Sequence, residues 1–308
     1  MNTVGLLFLI FGSAAVALMG FEFREVGSAF RLAAGRPGTA VERRRSVYFW
    51  EAAARNAWLL GALGSALNFT IALGSENGGI GGIAGRMIQA LVIMLYGLVL
   101  AVVCLVPALK LAEGDAAPRT AGEGPEAAPA VRRSGSAIRG RIGGYLLFAA
   151  TVAASIVVLT VGRPRGGPLP LGKILFHGPA ILIVGGGAVV LALFMGRGVG
   201  ARAWSLGFAM TGAIGLLMGL IQALFGFAHA DVGEISSAIA FLITAVAFSL
   251  LGLAAVAAPL EDREVMAGRR DKAGPVSRAL WVVFPLLAFI ALVLTFIMVV
   301  TPMTKPAG

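Results

Sequence analysis

Cysteine occurs once in this chain, at Cys104, and histidine twice, at His177 and His229. A single thiol excludes an intrachain disulfide and a thiolate metal cluster, so Cys104 is expected as a small buried apolar residue. Charge is scarce as well: 13% of 308 residues are charged against 58% hydrophobic, which leaves too little polar side chain to cover a water-facing globule. No nucleophile sits beside a candidate base, no phosphate-binding glycine loop joins a strand to a helix, and no acid pair falls inside an apolar run. The glycines of SENGGIGGIAG join two helices. The chain is therefore not expected to act as an enzyme on its own. A net charge of +10 would suggest nucleic acid in a soluble protein. Here the basic residues fall between apolar runs, where a membrane protein uses them for orientation, so lipid and not nucleic acid is the expected partner.

What the chain does have is long apolar runs. A spanning helix needs about 20 mostly apolar residues, and eight stretches qualify, at 4–20, 57–75, 87–109, 143–162, 177–196, 204–228, 236–259 and 279–302. None contains Asp, Glu, Lys or Arg. The basic residues after the first stretch, Arg24, Arg31 and the run Arg43, Arg44, Arg45, have the wrong polarity for a secretory leader. That stretch is expected to stay as an anchor with its N-terminus outside. Twenty of the 25 Lys and Arg then lie on the inner side, which selects an inner-membrane topology of bacterial type with both termini outside. Trp50, Trp58, Trp204, Trp281, Tyr48 and Tyr145 cluster at the inner ends, where amphipathic rings favour headgroups.

An internal repeat is expected. GALGSALNFTIAL at 61–73 and GAIGLLMGLIQAL at 212–224 share a glycine spacing and an Ala-Leu pair at an offset of 151, and Pro107 and Pro259 close the next apolar stretch in each half at an offset of 152. The expected fold is an all-α integral membrane protein of about eight transmembrane helices in two parallel four-helix repeats. The first repeat covers 1–112 and includes a basic cytoplasmic segment, 21–56, whose two parts read as amphipathic helices along the inner leaflet. A linker rich in Ala, Gly and Pro covers 113–142. The fourth span and an outer loop take 143–176, and the second repeat covers 177–308.

Small and polar residues within the spans are the candidate functional positions. Gly61 and Gly64, then Gly212, Gly215 and Gly219, permit close helix packing, as does the run Gly185, Gly186, Gly187. Ser65, Asn68, Thr70, Gln222 and Thr244 are candidates to line a path, the plainer reading being interhelical hydrogen bonds, which also accounts for Thr211. Asn68 is the most costly of these to bury unpaired. His177 and His229 fall at the outer ends of neighbouring antiparallel spans. With Asp231 and Glu234 near, they are candidates for a metal or for axial ligation of a haem, although interfacial histidines more often face headgroups or water.

RNAWLLGALGSALNFTIAL and IAGRMIQALVIMLYGLVLAVVCLVPALKLA resemble the last two membrane helices of the MotA/TolQ/ExbB proton-channel superfamily. GAIGLLMGLIQALFGF and AAVAAPLED in the second half repeat that resemblance. It implies a polytopic subunit of a multi-protein complex that needs a single-span partner carrying the proton-binding acid. The other expectation is a non-catalytic scaffold or cofactor-holding subunit of a membrane redox complex, where an outer-side histidine at the start of the fifth span is similar to an oxidase-type core.

Overall fold

The computed structural model describes residues 3–73, 79–115, 135–161, 178–194, 201–229, 232–267 and 281–294, with 289 and 292 excepted. The described secondary structure is helical throughout: α1 Thr3–Gly20, α2 Phe23–Ala33, α3 Ala40–Leu73, α4 Gly79–Asp115, α5 Gly135–Val161, α6 Gly178–Ile181, α7 Gly187–Phe194, α8 Ala201–Ala228, α9 Val232–Gly252 and α10 Ala258–Met266. One π-helical turn, Leu182–Gly186, joins α6 to α7, and another, Leu253–Ala257, joins α9 to α10. Residues 281–288 are again helical.

Among the described residues, three stretches are long and apolar enough to cross a membrane, Ile88–Ala112, Ala203–Gly226 and Ser237–Met266. A fourth is counted if α1 and α2, bent by 117°, form one span. The molecule is thus an all-α protein with membrane-type helices. Its outer faces agree: Ile88, Leu91, Leu95, Leu98 and Val102 of α4 recur at helical spacing and are all exposed, a stripe suited to lipid.

Two helices form the centre. Every residue of α3 from Asn56 to Phe69 except Trp58 is buried, and so is every residue of α9 from Phe241 to Ala247. Glycine sets how closely their neighbours approach. A Cβ on Gly61 of α3 would lie 2.9 Å from the Cα of Gly97 in α4, and one on Gly97 would lie 2.6 Å from the Cα of Gly61. Backbone meets backbone there, which maximises van der Waals contact where lipid supplies no hydrophobic drive for helix association. Across α8 and α9, Gly215 lies under Ala245, Gly219 under Leu242, and Gly212 under Ser249 and Phe284.

Three local expectations are corrected. The part of 21–56 from Ala40 onward is no separate helix along the leaflet. It runs straight into the apolar stretch as one 34-residue helix, because no glycine or proline interrupts 40–60 and the Ala-rich 52–57 favours continuation. Only α2 turns aside. Pro107 and Pro259 do not end their helices either. Pro107 lies inside α4. Pro259 follows the π turn at Leu253–Ala257, where the ladder is already shifted and the missing N–H and ring are accommodated. Finally, the rings at the charged ends do not all form a headgroup belt: Tyr145 is exposed and Trp58 and Trp204 are half-buried. Trp50 and Trp281 are buried, and Trp281 is hydrogen-bonded inside the protein.

Candidate functional site

The charged run that follows Pro259 reads as a solvated loop in the sequence, yet in the fold it is a buried junction. Glu261, Asp262, Arg263 and Glu264 lie consecutively on α10. Successive helical residues point about 100° apart, so four of them reach different neighbours. The Glu261 Oε2 accepts from the Trp281 indole N–H at 2.9 Å and lies 3.6 Å from the Arg55 guanidinium of α3. Asp262 Oδ1 accepts from Arg55 Nη2 at 2.7 Å and from the Tyr48 hydroxyl at 2.9 Å. Arg263 turns the other way and donates to the Met19 carbonyl at the end of α1, at 3.0 and 3.1 Å. Glu264 Oε1 accepts the Ala201 N–H that opens α8, at 2.8 Å. The end of α1, the N-terminal half of α3, the start of α8, α10 and the start of the 281–288 helix therefore meet at one junction.

Burial is deep. Asp262 is 0% exposed and Glu261 1%, while the Arg55 side chain retains 12%. The Arg55 guanidinium also lies 4.7 Å from the centre of the Trp281 ring, a cation–π contact in a dry setting. Burial, with the Asp262 charge beside it, pushes the Tyr48 hydroxyl well above its ordinary range, so that it remains a donor. Burial opposes the Arg55 charge, and the Asp262, Tyr48 and Glu261 groups outweigh it, so the guanidinium stays protonated. One carboxylate atom stands apart: Asp262 Oδ2 is buried and has no hydrogen-bond partner. It faces Gly20, where a Cβ would sit 2.9 Å from it.

No protein-family model matches this chain, and no curated protein or solved structure does either.

The sequence-chosen positions scatter. Ser65 and Asn68 are buried in α3; Ser65 Oγ has no partner, and Asn68 Nδ2 donates to the Gly64 carbonyl one turn back, at 3.0 Å. Thr244 is buried and donates to its own helix at Ala240. Gln222 is exposed on α8. The side chain of Thr70, and the whole of His177, lie outside the described residues. His229 is exposed, its Nδ1 is 2.9 Å from the Phe225 carbonyl, and its ring stacks on Phe225. Asp231 is outside the described residues, as is the Glu234 side chain. Among the described residues no three of His, Cys, Asp and Glu are grouped to hold a metal. Cys104 is half-buried, not buried.

What the sequence reading missed is the pairing of Arg55 with Glu261 and Asp262. The available signal was placement: a lone Arg two residues before one apolar run and an acid pair directly after another. Loop charge gives the sign of each segment and not its partner, so charge alone does not match the two.

Proposed function

We propose that the chain is a polytopic subunit of a multi-protein complex in a bacterial-type inner membrane, with eight spans in two parallel four-helix repeats, and that it passes protons in concert with a single-span acidic partner. Support for the repeat comes from contacts as well as residues. Gly61 meets Gly97 and Gly64 meets Ile93 in the first half; Gly212 meets Ser249 and Gly215 meets Ala245 in the second. The offsets of 151 and 152 carry Gly61, Gly64 and Gly97 onto Gly212, Gly215 and Ser249, and carry Ile93 onto Ala245. A chance run of glycines does not reproduce its partners.

The observation that carries the transport reading is the set of buried polar groups on α3. Arg55 stands in the acid cluster, Asn56 Nδ2 and Ser65 Oγ are buried without partners, and Asn68 bonds only its own helix. Polar atoms left unpaired in an apolar bundle are costly, and they mark where water or a proton has something to bind. Ser65 and Asn68 share one side of α3 and Asn56 lies on the other, so Ser65 and Asn68 are the pair proposed to line the path. The alternative of a redox scaffold holding haem rests on His177 and His229, of which His229 is described, exposed and with its Nδ1 at the Phe225 carbonyl.

The test is proton flux in proteoliposomes with the co-purifying partner present. Ser65→Leu and Asn68→Leu are each expected to reduce partner-dependent flux at least tenfold while leaving the complex assembled. Full flux in both variants, or purification without any single-span acidic chain, overturns the proposal.

A further inference from the structure

We propose that Asp262 is a protonation site and that its proton moves the Arg55 guanidinium from one carboxylate to the other. This deepens the transport reading by naming an acid in this chain. It rests on that reading only for the direction from which the proton arrives.

The two oxygens of Asp262 differ in their partners. Oδ1 is saturated by two donors, Arg55 Nη2 at 2.7 Å and the Tyr48 hydroxyl at 2.9 Å. Oδ2 is as deeply buried and receives none. A charged oxygen without a donor in a dry site is destabilising, and the simplest relief is a proton on that atom. A proton needs one lone pair. A hard divalent cation needs six or more oxygens, a donor set that the described residues around Asp262 do not assemble. Space is reserved as well: Gly20 of α1 backs Oδ2, and any larger residue would place its Cβ 2.9 Å from both Oδ2 and the Asp262 Cβ.

Among the described residues, the charged and titratable surroundings are these. From α3 come Tyr48 and Arg55, and from α10 itself come Glu261, Arg263 and Glu264. Arg263 is committed to the Met19 carbonyl of α1, and Glu264 to the Ala201 N–H of α8. The 281–288 helix contributes Trp281, uncharged, which bonds Glu261. Arg55 is thus the cation shared between the two acids, 2.7 Å from Asp262 and 3.6 Å from Glu261. When a proton from water forms an O–H bond at Oδ2, the Asp262 charge is cancelled and its attraction for Arg55 falls. Glu261 keeps its charge and becomes the stronger partner. Tyr48 can still donate to Oδ1. Proton uptake therefore rearranges the contact between α3 and α10, the junction of the two halves, and release restores it.

The test is infrared difference spectroscopy on the full chain in lipid nanodiscs while pH is lowered, with a parallel sample carrying 13C-labelled aspartate. A carboxylic-acid C=O band is expected to grow as pH falls, to shift with the aspartate label, and to be lost in Asp262→Asn. If Asp262→Asn does not fold, Asp262→Glu serves, in which the growing band no longer responds to the aspartate label. Absence of a label-sensitive band over the whole pH range in which the protein stays folded overturns the proposal, as does a band unchanged in the Asp262 variants. The two readings fail separately: a titrating Asp262 without partner-dependent flux removes the channel and leaves the site, whereas flux without a titrating Asp262 removes the site and leaves the channel.

Discussion

Arg55 shows how much depends on a single side chain. It sits between two buried carboxylates, and removing its charge leaves both without their shared cation. Breaking a buried pair in this way costs about 3–5 kcal/mol, so Arg55→Gln is expected to lower the thermal aggregation midpoint in detergent sharply or to prevent accumulation in the membrane. Arg55→Lys keeps the charge but loses the fork that reaches Asp262 and Glu261 together, and should fall between. Tyr48→Phe deletes one hydrogen bond to a charged oxygen, a loss of roughly 1.5–3 kcal/mol. A midpoint for Arg55→Gln equal to wild type would show that the cluster carries no stability. None of these residues was legible as a site in the sequence. Charge beside an apolar run reads as solvated, since in one dimension nothing distinguishes an interface from a partner.

Among elements, the glycines make the sharpest comparison. Gly97 and Gly61 present backbone to backbone, so a methyl at Gly97 has nowhere to go unless α3 and α4 separate. Gly97→Ala is expected to cost about 1–3 kcal/mol, typical of overpacking. Gly143 on α5 has open space where its Cβ would fall, and Gly143→Ala should be neutral or stabilising by up to about 1 kcal/mol through helix propensity. Equal midpoints for the two variants would refute the close-packed seam. The π turns are a second matter of elements. In Leu182–Gly186 the ladder is disturbed, and the Thr211 hydroxyl of α8 reaches the Val184 carbonyl at 3.2 Å while also bonding the Gly207 carbonyl at 2.7 Å. Thr211→Val should cost about 1 kcal/mol, read from the same unfolding curves. The glycine run at 185–187 reads in the sequence as a close-packing face, but a Cβ at Gly185 or Gly186 would meet open space and only Gly187 lies against a neighbour, Thr211. That residues 182–186 form a π turn with a partner on α8 was not legible, because the partner is 27 residues away.

At the scale of the whole molecule, the charged cluster fixes which helix ends share a side. The end of α1 and the N-terminal half of α3 meet α10 there, so Arg24 on α2 belongs to that end, while His229 closes α8 at the other. With Cys104 replaced by Ala, a thiol introduced at Arg24 is expected to react with an impermeant maleimide only from the cytoplasmic side, and one at His229 only from outside. Both labelling from one side would reverse the topology argued from the basic residues. Composition and apolar run length by themselves determined that the chain is helical and belongs in a membrane, because the cost of exposing backbone and charge to hydrocarbon depends on content and length alone. Glycine spacing located the seams for the same reason, since the absence of a side chain is written in one letter. The tertiary structure alone decided that helices continue through Pro107 and Pro259 and that α3 runs unbroken from Ala40. It also decided that Arg55 lies against Glu261 and Asp262, residues more than 200 positions away. Those outcomes depend on which surfaces meet, and an ion pair between distant helices exists only once packing has removed the water that would otherwise solvate each charge separately.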